Sequence, residues 1–422
     1  MKNGITVVGC DLKHSPSVSI SVWIKSGSRF ENGLEKGYSH FIEHMLFRGT
    51  KSRSGYEIAR QVDKLGGIIN AATTREYTYF YLSIIYSRVD FAFDILSDMI
   101  FFSRFQESQF EKEKKIVLEE IYTSYDSPED FTHDKFTELA FRKQPLGRNI
   151  LGNPKSISAC NSINLKKYMR KTYHPRKILL SVAGNIRRED MEALARKYFY
   201  RRGEKSKLIS SSKNHKKSGT YEPPRFKGGR YHVDRNSQQV HICFGYPGIS
   251  QSSPLKDALY VFDNLFGGSM SSMLFQEVRE DLGLCYSIDS FYSMYKDTGI
   301  FGIYCATSAA NFKKTVDEII KRLSNVNEKF LTEQILEESK QSICGRIALG
   351  LETSESIMMD IAMQEILYQE YIPLRKKITG IQKVSLQNVK NLITEICSNK
   401  VPLLLSVGRL KKKMQTYFPS FD

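Results

Sequence analysis

The chain has 422 residues, of which 41% are hydrophobic and 26% are charged, and its formal net charge is +16. These values are typical of a soluble globular protein with two or three domains, and they exclude a disordered chain or one that depends on disulfides for a core. The seven cysteines are widely spaced and contain no Cys-x-x-Cys pair, which argues against a disulfide framework and a cysteine-ligated metal site and favours a reducing, cytoplasmic location.

Hydrophobic periodicity predicts a mixed series of strands and helices in the first half of the chain. No segment has the roughly 20 consecutive apolar residues that cross a membrane, so no membrane association is expected. The predicted elements are strands at 5–10 and 18–24, helices at 38–48 and 55–65, strands at 68–73 and 76–84, helices at 87–103 and 107–125, and a strand at 178–182.

Two related halves are predicted, separated by a segment rich in Gly, Ser, Lys and Pro. Leu179–Gly184 is similar to Leu404–Gly408, and a second short motif ending in glycine recurs in the same order. Long helices without regular strand–helix alternation favour an α+β fold in which each half is a largely antiparallel sheet packed with helices. The predicted divisions are a first domain at 1–205, a linker at 206–228 and a homologous second domain at 229–422.

The most informative segment is His40-Phe41-Ile42-Glu43-His44. Residues four apart on a helix lie one turn apart on the same face, so His40 and His44 can both reach one zinc ion. Glu43 lies beside that face, where it can reach a water molecule without binding the metal. This His-x-x-Glu-His order is the inverzincin motif, although the same pattern also arises by chance on surface helices.

The helix predicted at 107–125 offers a third metal ligand. A helical stripe is expected to be buried, and it contains two carboxylates that are costly to bury unless they are paired or bound to metal. We predict Glu120 as the ligand and Glu113 as the group that positions a ligand. The stripe is Glu113, Ile116, Val117, Glu120, Ile121 and Ser124.

These residues make the chain resemble the insulinase–pitrilysin zinc metallopeptidases, and in particular the short-chain branch that includes the mitochondrial processing peptidase β-subunit and its bacterial relatives. The resemblance covers nearly the whole chain. Besides residues 40–50, it rests on the segments 66–73, 113–121, 145–147, 182–184, 267–279 and 283–287.

The resemblance implies roles for individual residues. Glu120 corresponds to the third zinc ligand and Glu43 to the catalytic base, with one Zn²⁺ per chain. Three further residues fall on an edge strand that pairs with an extended peptide, which is also the physically expected way to hold an arbitrary sequence. These edge-strand residues are Asn70, Ala71 and Thr73.

The second half contributes residues of its own to the expected site. Arg279 and Tyr286 match a family pair that contacts substrate near the zinc; a surface arginine and a core tyrosine are the alternatives. Asp130 and Asp134 lie where related processing enzymes select basic residues, although a solvated acidic patch is the other interpretation. The family's clamshell implies that this chain forms one half of it, so we expect a homodimer, or a heterodimer with a related chain.

The sequence therefore predicts a zinc metalloendopeptidase acting on small or unfolded peptides or precursor segments. The alternative is a scaffold or recognition subunit that retains zinc and is active only with a second chain. The basic net charge also raises a nucleic-acid-binding protein, but the basic runs at 201–207 and 213–217 are interleaved with Ser, Gly or other polar residues. That pattern is typical of a solvated linker, so no nucleic-acid partner is expected.

Overall fold

The computed structural model describes residues 1–202, 222–326, 330–398 and 400–417. The chain forms two compact units, and each is assembled from separated segments. The first contains residues 1–123, 148–221 and 350–371, and the second contains residues 124–147, 222–349 and 372–422.

The first unit is built on a five-stranded sheet in the order β1-β5-β2-β4-β3. Strand β1 runs parallel to β5, and every other pairing in the sheet is antiparallel. Strand β3 therefore forms one edge. The strands are β1 Thr6–Asp11, β2 Ser17–Ile24, β3 Ile68–Thr73, β4 Thr78–Ile85 and β5 Ile178–Gly184.

The second unit repeats this topology with the order β6-β10-β7-β9-β8. Its first and last strands are again the parallel pair, and its third strand again forms an edge. The strands are β6 Gly229–Val233, β7 Val240–Gly248, β8 Cys285–Met294, β9 Gly299–Thr307 and β10 Leu403–Val407.

Helices pack on both sheets. Several begin at polar caps, as at Ser54, whose hydroxyl and Glu57 form a reciprocal capping box. The α-helices of the described residues are α1 Tyr38–Leu46, α2 Gly55–Asp63, α3 Val89–Phe102, α4 Glu107–Asp126, α5 Pro128–Ala140, α6 Pro154–Ala159, α7 Ser162–Thr172, α8 Arg188–Ala195, α9 Lys256–Phe266, α10 Phe312–Asn325, α11 Glu333–Leu349, α12 Ser354–Leu367, α13 Leu374–Gln382, α14 Leu386–Cys397 and α15 Lys412–Gln415.

The predicted α+β duplication is confirmed. Both short motifs that suggested it occupy equivalent places: the first covers β5 and β10, and the second ends a helical segment before an edge strand. The glycines that close the second motif, Gly66 and Gly283, adopt φ values of +64° and +58°, a left-handed conformation that favours glycine. Each unit thus begins its edge strand by the same turn.

The compact units do not follow the chain order. Helix α12 comes from the second half of the sequence but packs on the first sheet, where the Ser354 hydroxyl bonds those of Ser17 and Ser19 at 2.8 Å. The polar face of the alternating strand β2 is consequently buried rather than solvated. Helix α5, in the first half of the sequence, packs on the second sheet through Phe136. The division at 206–228 stays a prediction, since residues 203–221 lie outside the described part of the chain.

No helix among the described residues is both long enough and apolar enough to cross a membrane. All seven cysteines lie in the described ranges, and each is a free thiol.

Candidate metal centre

Helix α1 presents the two histidines of the predicted motif on the side that meets α4. The two helices are held together by the stacked rings of Phe41 and Phe110, whose centroids are 4.9 Å apart. The other apolar face of α1 is buried, with Ile42, Met45 and Leu46 in the core. Because both sides of α1 are fixed by packing, the histidine side chains are positioned by the fold of the first unit.

His40, His44 and Glu120 bring three ligand atoms together. The Nε2 atoms of the two histidines are 3.2 Å apart, and Oε2 of Glu120 lies 3.5 Å from that of His40 and 3.4 Å from that of His44. A tetrahedral zinc ion with ligands at about 2.0–2.1 Å requires ligand atoms separated by about 3.3–3.4 Å. The triangle therefore has the size of one face of such a tetrahedron, and its fourth corner is left for another ligand.

A buried atom without a partner also fits a cation at this position. Oε2 of Glu120, one corner of the triangle, is buried and lacks a hydrogen-bond partner within the described residues. The imidazole of neutral His44 that donates from Nδ1 turns a lone pair on Nε2 toward the other two ligand atoms. Three electron-pair donors facing one another repel unless a proton or a metal ion lies between them.

Glu113 fixes the orientation of His44. Its Oε1 atom is 2.9 Å from Nδ1 of His44 and accepts a 2.9 Å hydrogen bond from Arg48. Arg48 also forms an ion pair with the other oxygen of Glu113. Burial raises the pKa of Glu113, but the hydrogen bonds and charges of His44 and Arg48 outweigh it and hold that pKa below its usual value. The result is an ionised acceptor behind the ring, as metal-ligating histidines commonly have.

The two carboxylates control the protonation of His44 when no ion is bound. Burial lowers the pKa of His44, but the hydrogen bond with Glu113 and the nearby carboxylate of Glu120 reverse this effect and raise the pKa to about 9. The imidazoles of His40 and His44, whose Nε2 atoms lie 3.5 and 3.4 Å from Oε2 of Glu120, hold the pKa of that carboxyl well below its usual range. A zinc ion would therefore displace a proton shared by this cluster.

Glu43 points toward the edge strand β3 of the same unit. The hydroxyl of Thr73 donates a 2.5 Å hydrogen bond to Oε2 of Glu43. Asn70 and Ala71 lie on the same strand, which pairs with β4 on one side only. The predicted base and the predicted peptide-binding edge are thus adjacent in the structure.

A buried glutamate holds the start of α1. Glu31 accepts 2.8 Å hydrogen bonds from the backbone N–H groups of Gly37 and Ser39, which are otherwise unsatisfied donors of the helix N-terminus. Burial raises the pKa of Glu31 to about 7. The side chain of Glu31 thus anchors the N-terminus of α1. Glu31 itself belongs to no recognisable sequence motif.

The remaining predicted site residues belong to the second unit. Asp130 is exposed and Asp134 is half-buried on α5. The guanidinium of Arg279 lies over the ring of Phe275 at 4.4 Å, and Tyr286 on β8 is 73% exposed. The structure brings together the residues of α1, α4 and β3, whereas the roles of these four residues stay predictions.

The predicted buried stripe of α4 is partly wrong, and two residues beside the site, Arg48 and Glu31, were not predicted. Ile116 is 46% exposed rather than buried, and the side chain of Glu120 is 42% exposed. The buried face of α4 is formed instead by Phe110, Glu113, Val117 and Ile121. Arg48 was identifiable, since it lies four residues after His44 and so follows the same face of the chain. Glu31 could not be identified from the sequence, because a carboxylate in a loop outside the motif has no characteristic spacing from it.

Comparison with known proteins gives a consistent result. Residues 7–154 match the family described as Insulinase (Peptidase family M16), and residues 161–343 match the Peptidase M16 inactive domain. The chain is 34% identical to the uncharacterized zinc protease YmxG of Bacillus subtilis over 96% of both chains. It is 31% identical to an uncharacterized zinc protease of Rickettsia felis over 94% of both.

A solved structure supports the fold. The crystal structure of a protease from Helicobacter pylori superimposes with a TM-score of 0.87 and covers 97% of this chain and 98% of its own. At 19% sequence identity, this similarity concerns the fold alone.

Proposed function

Because the chain belongs to the insulinase family of peptidases (peptidase family M16), we propose that it is a zinc metalloendopeptidase that hydrolyses small or unfolded peptides or precursor segments. The observation that carries the proposal is the triangle of His40, His44 and Glu120, whose sides of 3.2–3.5 Å suit tetrahedral zinc. We expect one zinc ion per chain, held by these three residues.

The reaction assigns a different task to each residue around the triangle. When bound, zinc would polarise the scissile carbonyl and lower the pKa of a water molecule to about 7. Glu43 takes the proton from the attacking water and returns it to the leaving amine nitrogen. Thr73 fixes the rotamer of Glu43 through their 2.5 Å hydrogen bond, while Glu113 keeps His44 turned toward the metal position.

Strand β3 supplies the means to hold a peptide of arbitrary sequence. Its outer edge carries backbone donors and acceptors that pair with no other strand of the sheet, so an extended substrate can add as a further strand. Asn70 and Ala71 lie on this edge next to Thr73, and a peptide paired there passes beside Glu43. Backbone pairing explains how the enzyme would accept many sequences.

We further propose that the second unit of a partner chain, as a homodimer or with a related chain, completes the site. Arg279 and Tyr286 are the residues expected to contact the substrate and to stabilise the tetrahedral oxyanion. The exposed ring of Tyr286 leaves its side chain accessible to a ligand. Asp130 and Asp134 would favour basic residues in the substrate.

The test compares the wild type with Glu43→Gln on a library of unfolded peptides, with zinc measured in both. The proposal predicts zinc in both proteins and cleavage by the wild type alone, because Gln cannot accept the water proton. The matched control is Glu119→Gln, an exposed glutamate on α4, which should cleave normally. Zinc in both with cleavage by neither would favour the alternative, a scaffold or recognition subunit that needs a second chain.

A further inference from the structure

The second unit contains a polar cluster between α9 and α11 that the proposed reaction does not use. Asn264 is 4% exposed, and its amide donates a 2.9 Å hydrogen bond to the hydroxyl of Ser339. The carbonyl oxygen of the same amide accepts a hydrogen bond from the guanidinium of Arg346. One buried side chain of α9 is thus held by two side chains of α11.

The positions of these residues repeat those of the metal centre. Asn264 is two residues before the end of α9, as His44 is two residues before the end of α1. Counting from the first residue of each helix, Ser339 and Arg346 are residues 7 and 14 of α11, and Glu113 and Glu120 are residues 7 and 14 of α4. His44 contacts both residues of its pair, and so does Asn264.

The predicted base has a counterpart as well. Asp263 directly precedes Asn264, as Glu43 precedes His44, and its carboxylate accepts a 2.7 Å hydrogen bond from the hydroxyl of Ser290. Ser290 lies on edge strand β8, seven residues after Gly283, and Thr73 lies on edge strand β3, seven residues after Gly66. The acid–hydroxyl pair of the metal centre is therefore preserved in the second unit.

We propose that this cluster is a metal-free copy of the metal centre in which the guanidinium of Arg346 takes the place of the ion. The second unit lacks the three ligands of the first. The position of His40 is taken by Tyr260, that of His44 by Asn264, and that of Glu120 by Arg346. Arg346 carries a positive charge into the space between the two helices, and a guanidinium that is always protonated cannot bind a metal.

The positive charge of Arg346 stabilises two buried groups, the side-chain carbonyl of Asn264 and the carboxylate of Asp263. It donates to the buried carbonyl of Asn264, and it acts favourably on the carboxylate of Asp263, whose burial otherwise disfavours ionisation. An ion bound in the first unit would stand in the same relation to His44 and Glu43. The family description of an inactive domain does not specify these residues, and the structure assigns them.

The test restores the ligands in the full-length chain. The variant Tyr260→His/Asn264→His/Arg346→Glu is made in a His44→Ala background, so that the first centre is disabled. Zinc is added alone, excess is removed by dialysis, and the zinc content per chain is measured. The proposal expects about one zinc ion for the restored chain, because three ligands on two helices recreate the set of the first unit.

The matched control replaces the same three residues by alanine in the same background and is expected to bind no zinc. A restored chain that keeps its circular dichroism spectrum but binds no more zinc than this control overturns the proposal. The geometry of the second cluster would then not correspond to that of the metal centre.

A second measurement decides the question if the restored chain does not fold. Asn264→Ala, Arg346→Met and their combination are compared by chemical unfolding, and a coupling of at least about twofold in the unfolding constant is expected for contacting groups. Arg322, which pairs with Glu277 and Glu318 in the same unit, provides the control: Arg322→Met should combine additively with Asn264→Ala. Additive effects for Arg346 would overturn the proposal.

Discussion

Nδ1 of His44 and Oε1 of Glu113 are 2.9 Å apart, and the side chain of this glutamate is only 1% exposed. Glu113 remains ionised despite burial because Arg48 pairs with it from the other side. The pair fixes both the tautomer and the rotation of the imidazole, so that Nε2 faces the other two ligand atoms. Glu113 would therefore act on a bound metal ion through His44 rather than by binding it.

Glu113→Gln is expected to weaken zinc binding by about 10–100-fold, a loss typical when the hydrogen-bond partner of a metal-binding histidine is changed. The amide can still accept from Nδ1, but it has no charge to increase the basicity of the ring and leaves Arg48 without its counterion. Competition with a fluorescent chelator measures the affinity. Glu119→Gln on the same helix is the matched control, and equal affinities for the two variants would contradict the role of Glu113.

Thr73→Val is expected to lower kcat about 5–10-fold while leaving zinc content unchanged, because one hydrogen bond of about 1 kcal/mol to the base is lost. The side chain is nearly isosteric, so the edge strand keeps its backbone pairing and KM should change little. Thr73→Ser restores the hydroxyl and should restore kcat. A fall in zinc content, or no rescue by serine, would show that Thr73 acts through the fold instead.

The ionisation of Glu31 is expected to make the free energy of unfolding depend on pH. Burial raises its pKa in the folded state to about 7 from an ordinary value of 4.5, so the folded protein holds a proton that the unfolded chain has already released. The contribution to stability is full below pH 4.5 and decreases as the pH rises to 7. A shift of this size corresponds to about 2–4 kcal/mol.

Urea unfolding in the presence of a chelator tests this dependence. Between pH 4.5 and 7.5, the wild type should lose about 2–4 kcal/mol more stability than Glu31→Gln, which cannot ionise. Using the difference removes the contribution of every other titrating group. Glu119→Gln should parallel the wild type, and a Glu31→Gln profile that also does so would contradict the assignment.

The sequence predicted the three side chains that the fold brings together as a candidate metal site, because their spacing is local. His40 and His44 needed only the helical period, and Glu120 only a stripe on a second helix. The strands and helices that were predicted in the first half match the structure to within a few residues for the same reason, whereas helices α5 to α8 were not predicted. The prediction that Ile116 is buried was wrong because the helical period does not show how wide the buried face of a helix is. The buried face of α4 is narrow.

The sequence pattern could not predict which sheet each helix packs on. Helix α12 packs on β2 through Ser354, and α5 packs on the second sheet through Phe136, although each lies in the other half of the sequence. Nothing in the pattern of either helix indicates which sheet it covers, since both sheets offer a similar strand order. The hydrogen bond between Thr73 and Glu43 likewise could not be predicted from the sequence, because the contact between these residues depends on the packing of α1 against β3.

Tyr286 of the second unit is expected to contribute to the reaction. Tyr286→Phe should lower kcat/KM by about 10²-fold, as when one oxyanion donor is removed, with zinc content unchanged. Tyr56→Phe is a matched control, because Tyr56 is a similarly exposed tyrosine of the first unit, at 74% against 73%. Unchanged kinetics for Tyr286→Phe would exclude it from the reaction.

Mixing two defective chains then shows whether the site is shared between subunits. Glu43→Gln lacks the base, and Arg279→Met/Tyr286→Phe lacks both residues of the second unit. If each site combines the first unit of one chain with the second unit of its partner, an equimolar mixture after subunit exchange should contain about a quarter of intact sites. The mixture would then be far more active than the mean of the two variants alone. Activity equal to that mean would show that the two units act within one chain, because only then does exchange fail to create an intact site.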